Sequence, residues 1–146
     1  TPVVDSSAIP TGEIASVEGT PMDFRTEKQI GQDIRADFEQ LHFTGGYDHN
    51  YVLGRPGEKK IMANAYCRES GIALEAETDC CGVQFYAGNF IGEQTGKGGA
   101  SYHDRSAFCL ESQFYPNAVN EPDFPSPVVK AGDTYHTETS YRFYLR

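Results

Sequence analysis

Apolar and polar residues alternate in short patches along this chain, the period-2 pattern of half-buried strands. Ile72, Leu74 and Ala76 oppose Ala73, Glu75 and Glu77. Near the C-terminus, Tyr135, Thr137, Thr139, Tyr141, Phe143 and Leu145 fall on one face, against His136, Glu138, Ser140, Arg142 and Tyr144 on the other. A strand of that length predicts a sheet to pair with. Residues 27–41 alone follow a helical period, with Ile30, Ile34, Phe38 and Leu41 recurring every three or four positions, and Gly45-Gly46 ends that stretch. The elements together predict a mainly β chain, an antiparallel sandwich with one short helix. Fifteen glycines and eight prolines, clustered at Gly98-Gly99, Pro116 and Pro122 to Pro127, divide the strands, and residues 121–127 read as a surface loop. Residues 1–9 read as the end of a strand before a turn at Pro10-Thr11-Gly12, so the chain is expected to start inside a structure and to be a piece of something longer.

Length adds that one domain is enough: 146 residues can bury a single sizeable core. Charge narrows the partners. A formal net charge of −9 disfavours nucleic acid and anionic membranes, both of which want a basic face, and fits a neutral ligand. No apolar run approaches the length of a membrane span, and the first residues lack the pattern of a signal peptide. Cysteines at 67, 80, 81 and 109 form no CxxC pair and no zinc-finger spacing, so reduced thiols in a cytoplasmic protein are expected. A metal site from Cys80, Cys81 and His103 lacks a recognisable signature beside the reading of buried thiols as small hydrophobes.

Three blocks place a carboxylate or carboxamide beside aromatic and glycine residues: Gly45-Gly46-Tyr47-Asp48-His49-Asn50, residues 82–89 (GVQFYAGN), and Leu110-Glu111-Ser112-Gln113. That mixture suits a sugar, whose hydroxyls need fixed donors and acceptors and whose apolar face accepts a ring. Alternation puts Glu111 with Cys109 and Gln113, opposite Phe108, Leu110 and Phe114. A strand glutamate shielded by neighbouring rings is suited to take a proton near neutral pH, whereas a solvated one does nothing of the kind. Gln84 shares a face with Tyr86, and its carboxamide either donates and accepts toward a hydroxyl pair or serves the structure alone. Asp48, just past the glycine pair, either stabilises its own loop or points at a ligand. His49 reads as a polar surface group able to order Asp48, and His42, His103 and His136 belong to no pattern.

Taken in order, Ile9-Pro10-Thr11-Gly12-Glu13, Gly19-Thr20-Pro21-Met22-Asp23-Phe24-Arg25, Gly46-Tyr47-Asp48-His49-Asn50, Gly82-Val83-Gln84-Phe85-Tyr86 with Gly88-Asn89, and Leu110-Glu111-Ser112-Gln113 with Pro116-Asn117-Ala118-Val119-Asn120 resemble the C-terminal part of the aldose 1-epimerase (galactose mutarotase) family, from end to end. The resemblance implies a large antiparallel β-sandwich, the supersandwich, that interconverts the α and β anomers of free hexoses such as galactose and glucose with no cofactor and no metal. It gives Glu111 the place of the family's general base, and Asp48 and Gln84 the places of substrate-binding residues. It also implies that residues 1–146 are the C-terminal part of one such domain. The family's acid histidine, a second binding histidine and an Asn-Arg pair lie in an N-terminal half outside this chain, and no histidine here matches them. Cys81 stands where the family usually has proline, and Ile72 where an arginine often follows Ser-Gly.

The expected partners are a small-molecule hexose and either the N-terminal half of the same fold or a second copy. A non-catalytic carbohydrate-binding β-sandwich module is the alternative. A hexose-phosphate epimerase fits less well, because Arg55, Arg68 and Arg105 are scattered rather than clustered for a phosphate.

Overall fold

Glycine, proline and short polar stretches break the chain into strands too short to bury much surface alone, so the sheets need one another. In the computed structural model, which describes residues 1–146, the elements are β1 (Pro2–Val4), β2 (Pro10–Ile14), α1 (Glu39–Thr44), β3 (Asp48–Val52), β4 (Lys60–Tyr66), β5 (Ile72–Thr78), β6 (Gly82–Tyr86), β7 (Gln94–Thr95), β8 (Ser101–Tyr102), β9 (Cys109–Gln113) and β10 (Thr139–Leu145). Two three-stranded antiparallel sheets, in the orders β3-β6-β9 and β10-β5-β4, form the body. The pairs β1-β2 and β7-β8 complete it. The mainly β, antiparallel architecture expected from the alternation is the one observed.

The inner face of the β3-β6-β9 sheet carries the core. Met22, Ile34, Leu41, Tyr47, Phe85 and Ala87 are buried together, with Phe24, Tyr51 and Leu110 packed against them. Tyr47 stacks on Phe85 with ring centroids 5.5 Å apart, and Phe24 meets both rings edge-on at 4.9 and 5.3 Å. Offset and edge-to-face contacts of this kind suit the aromatic quadrupole. Met62 and Ala76 of the second sheet pack with Val83, so the two sheets meet around β6. A third cluster of Cys81, Tyr115, Ala118 and Phe124 closes one end and anchors the proline-rich loop through Phe124. Cys81 fills this cluster as a buried thiol, while Ile72 lies exposed at the start of β5, opposite Leu145. All four cysteines are unpaired.

Three expectations are corrected. The helix is not at 27–41: it spans only Glu39–Thr44, and the preceding stretch is a series of turns closed by Gln32 N–H to Gln29 and Ala36 N–H to Asp33. Phe38, extended at φ −140° and ψ 125°, prevents the turns from joining the helix. The apolar period there records burial of Ile34 and Leu41 against the aromatic core, and Lys28 Nζ joins the segment to the preceding turn by donating to Pro21 O as well as to Asp33 Oδ2. At the N-terminus the turn lies at Asp5–Ile9, held by Asp5 Oδ1 accepting from the amides of Ser7 and Ile9, and Pro10-Thr11-Gly12 belongs to β2. The last strand begins at Thr139 rather than Tyr135, because Thr137 Oγ1 and the Glu138 amide bond the Asp79 carboxylate before β10 pairs with β5.

Candidate active site

Gly45 ends α1 in the left-handed conformation at φ 66°, and the chain then enters β3. Asn89 clamps this entry by donating from Nδ2 to the carbonyls of Thr44 and Tyr47 at 3.2 and 3.1 Å. Asp48 therefore opens a paired strand and is not a free loop residue.

Because side chains alternate across a strand, Asp48 and Asn50 point to the face opposite His49 and Tyr51. The register β3-β6-β9 places Asn50, Gln84 and Glu111 directly opposite one another, with Asp48, Tyr86 and Cys109 forming the next row. The outer face of this sheet thus gathers two carboxylates and two carboxamides, while the inner face carries Phe85, Val83 and Leu110. Gln84 donates from Nε2 to Asp48 Oδ1 at 2.8 Å. Its Oε1 is sealed from solvent and has no partner within the chain. Glu111 makes no hydrogen bond and is exposed, so the shielding by rings expected for it is not supplied by this chain. The two carboxylates share one electrostatic environment: desolvation first, and then the charges of Glu111 and Asp48, push the Cys109 thiol up.

The expectation for His49 is corrected as well. It is 1% exposed, on the core side of β3, with Nδ1 accepting from the Asp48 amide at 3.3 Å. Burial holds it down to about 4, so it is a neutral core residue behind the site and not a polar surface group. His103 and His42 sit beside Glu93 and Asp37 at 3.0 and 3.3 Å on exposed segments. At the rim, the Phe90 amide donates to Tyr86 Oη at 3.0 Å and Arg105 donates to Gly45 O at 2.9 Å, which ties the loops after β6 and β8 to the site entrance. No group of three or more metal-binding side chains is present.

The structure brings Asp48, Gln84 and Glu111, the three residues singled out in the sequence, onto one face of the β3-β6-β9 sheet. Sequence reasoning gave no role to Asn50, although its position two residues after Asp48 on a strand was the available signal.

Fold and site together define an antiparallel β-sandwich with an open, acidic, carboxamide-bearing sheet face. The comparison with known families then places it: the model of the aldose 1-epimerase family matches residues 1–142, and the chain belongs to that family, matching its C-terminal portion. It is 44% identical over 141 residues to galactose mutarotase of Bos taurus, covering 96% of this chain and 40% of the relative. To aldose 1-epimerase of Escherichia coli K12 it is 36% identical over 143 residues, covering 96% of this chain and 41% of the relative. The crystal structure of a GalM/aldose epimerase homologue from C. elegans superposes with a TM-score of 0.75 at 29% identity, covering 99% of this chain and 42% of that one. The chain therefore spans about two fifths of the length of the relatives it matches.

Proposed function

We propose that this chain carries the base-bearing portion of an aldose 1-epimerase site, which interconverts the α and β anomers of free hexoses such as galactose and glucose. The carrying observation is the cross-strand alignment of Gln84 with Glu111, together with the 2.8 Å bond that orients Gln84 and Asp48 toward each other. Asp48 has used one oxygen on Gln84, and the other accepts a sugar hydroxyl. Glu111, free of internal partners, takes the proton of the anomeric hydroxyl. An acid contributed from outside this chain protonates the ring oxygen, the C1–O5 bond breaks, the C1–C2 bond rotates, and closure on the other face returns both protons. Acting together, base and acid avoid both a free alkoxide and an oxonium, and each transfer is typically worth ~10² to 10⁴ in rate. The reaction as written moves only protons and calls on no cofactor.

On this reading residues 1–146 form the C-terminal part of one sandwich domain, and activity needs the complementary N-terminal portion. The apolar exposure of β10, with Phe143 at 68% and Leu145 at 81%, supports a covering partner, whether that portion or a second copy. A cytoplasmic location belongs to the same proposal. No helix is long and apolar enough to cross a membrane.

The exposed Glu111 favours one second reading, a non-catalytic carbohydrate-binding module. Polarimetry of α-D-galactose relaxation decides between them, run on this chain alone and with a family N-terminal portion added. Acceleration in the mixture supports the epimerase. Complex formation and sugar binding without acceleration overturn it in favour of the binding module.

A further inference from the structure

Asn50 is 3% exposed, and neither end of its carboxamide has a partner within the chain. A buried carboxamide without hydrogen bonds is costly, so its retention in the floor of a site calls for an explanation. Strand alternation puts it on the face of Asp48, and the register sets it opposite Gln84, which in turn lies opposite Glu111. The amide leans over Gly82: a Cβ at that glycine would lie 2.4 Å from Asn50 Oδ1 and 3.0 Å from the Tyr115 ring. Gly82 therefore makes the room in which the Asn50 amide lies.

Gln84 is satisfied only on one side. Its Nε2 holds Asp48, while its Oε1 is buried without a partner. One cross-strand pair thus sets an unpartnered carboxamide against an unpartnered carbonyl oxygen. Facing side chains in such a pair have Cβ atoms about 5 Å apart. One bridging hydroxyl, accepting from Asn50 and donating to Gln84 Oε1, would satisfy both residues.

We propose that Asn50 is a positioning residue of the sugar site: through a bridging hydroxyl it fixes the rotation of the Gln84 carboxamide and, through Gln84, the Asp48 carboxylate that holds the sugar. This rests on the epimerase reading for the sugar and on geometry alone for Gln84. An amide that merely fills space over Gly82 behaves differently. Replaced by an apolar side chain of similar size, it leaves stability unchanged or raised and leaves Gln84 undisturbed.

The test uses Asn50→Leu and Asn50→Asp, the latter keeping the shape but losing the donor. In this 146-residue chain, hydrogen exchange of the Gln84 side-chain amide is followed by NMR with and without galactose. Exchange at least tenfold faster in both variants supports the proposal. The Asp48 bond protects this amide in either case; a tenfold effect of the variants that is the same with and without galactose identifies the hydroxyl as a buried water, and an effect that appears only with galactose identifies it as the sugar's. In the chain assembled with its N-terminal portion, both variants are expected to raise KM for galactose about tenfold or more, with kcat changed less than threefold. Unaltered Gln84 exchange and unaltered KM in a folded Asn50→Leu chain overturn the proposal. An inactive wild-type assembly sinks the epimerase reading, and the exchange measurement then decides the role of Asn50 by itself.

Discussion

Gln84 on β6 donates to Asp48 on β3 at 2.8 Å, although the residue directly across the ladder from Gln84 is Asn50. The bond is diagonal, and it joins the two rows of the outer sheet face into one unit. A charged acceptor makes it stronger than a neutral pair. Asp48 is consequently not free to swing with solvent, which is what a residue that discriminates hydroxyl positions requires.

Gln84→Leu should therefore weaken sugar binding through Asp48 as well as through the lost carboxamide. A hydrogen bond to a charged group is worth about 1.5 to 3 kcal/mol, so KM for galactose is expected to rise roughly 10- to 100-fold. Gln84→Glu should be worse at neutral pH and partly recover on acidification, since two carboxylates in contact hold a proton between them. KM measured by polarimetry from acid to neutral pH checks both. A Gln84→Glu enzyme whose KM is flat across that range contradicts the contact.

The Glu111 side chain makes no hydrogen bond in the chain and the residue is exposed, so replacing that side chain should not touch stability. Glu111→Gln is expected to lower kcat of the assembled enzyme by ~10² to 10⁴. Its unfolding free energy should stay within about 0.5 kcal/mol of wild type, as for other surface changes. Rapid polarimetry and urea titration of the same preparation separate the two effects. Full turnover in this variant would falsify the assignment of the base.

His49 gives the fold an acid sensitivity. Its pKa is lowered by burial to about 4 from 6.5, so between those values the unfolded chain binds the proton more readily than the folded one. The stabilisation is complete above the unfolded pKa and is lost as pH falls through the window toward 4. Its size is on the order of 3 kcal/mol at most. His49→Gln should flatten this part of the stability profile. Urea midpoints at pH 4.5 and pH 7 check it: wild type should lose more than the variant on acidification.

Much of the site was legible because strands have a period of two. Counting places Glu111 with Gln113 and Gln84 with Tyr86 within their strands, and the resemblance singled out Asp48, Gln84 and Glu111; that the three share one face needed the register of β3, β6 and β9. The helix failed for a reason that periodicity cannot see. Ile30, Ile34 and Leu41 are spaced as on a helix, yet Ile30 and Ile34 reach the core from turns, held where Lys28 Nζ donates to Pro21 O and to Asp33 Oδ2, contacts that the run's own period does not record. His49 was misread for a similar reason. Its neighbours Asp48 and Asn50 are as polar as the histidine, so no apolar alternation marks which side of β3 is the core side, and the structure shows the imidazole buried there.

The turn into β3 should be intolerant of any side chain at Gly46. Its φ of +137° is open to glycine and strained for others, and a Cβ there would stand 2.4 Å from Asn89 Oδ1. Asn89 cannot retreat without losing its bonds to Thr44 and Tyr47. Gly46→Ala is expected to cost about 2 to 4 kcal/mol and to raise KM by moving Asp48. Gly19→Ala is the control, for Gly19 also has positive φ, +71°, but has open space around it, so only backbone strain of about 1 to 2 kcal/mol should appear. Equal losses in the two variants would show that the Asn89 clamp contributes nothing.

Tyr141, Phe143 and Leu145 share one face of β10, which is also the edge strand of its sheet. An apolar edge with unpaired backbone groups pairs readily with another chain. This chain alone should therefore associate as concentration rises, and Phe143→Lys with Leu145→Lys should reduce that association, because both side chains are largely exposed and carry little of the core. If the true cover is the complementary portion of the family fold, adding that portion should suppress self-association of the wild type, and the double lysine variant should bind it more weakly. Sedimentation velocity over a wide range of concentration, with and without the added portion, reads both effects. A wild-type chain that stays monomeric throughout and ignores the added portion removes the case for either partner.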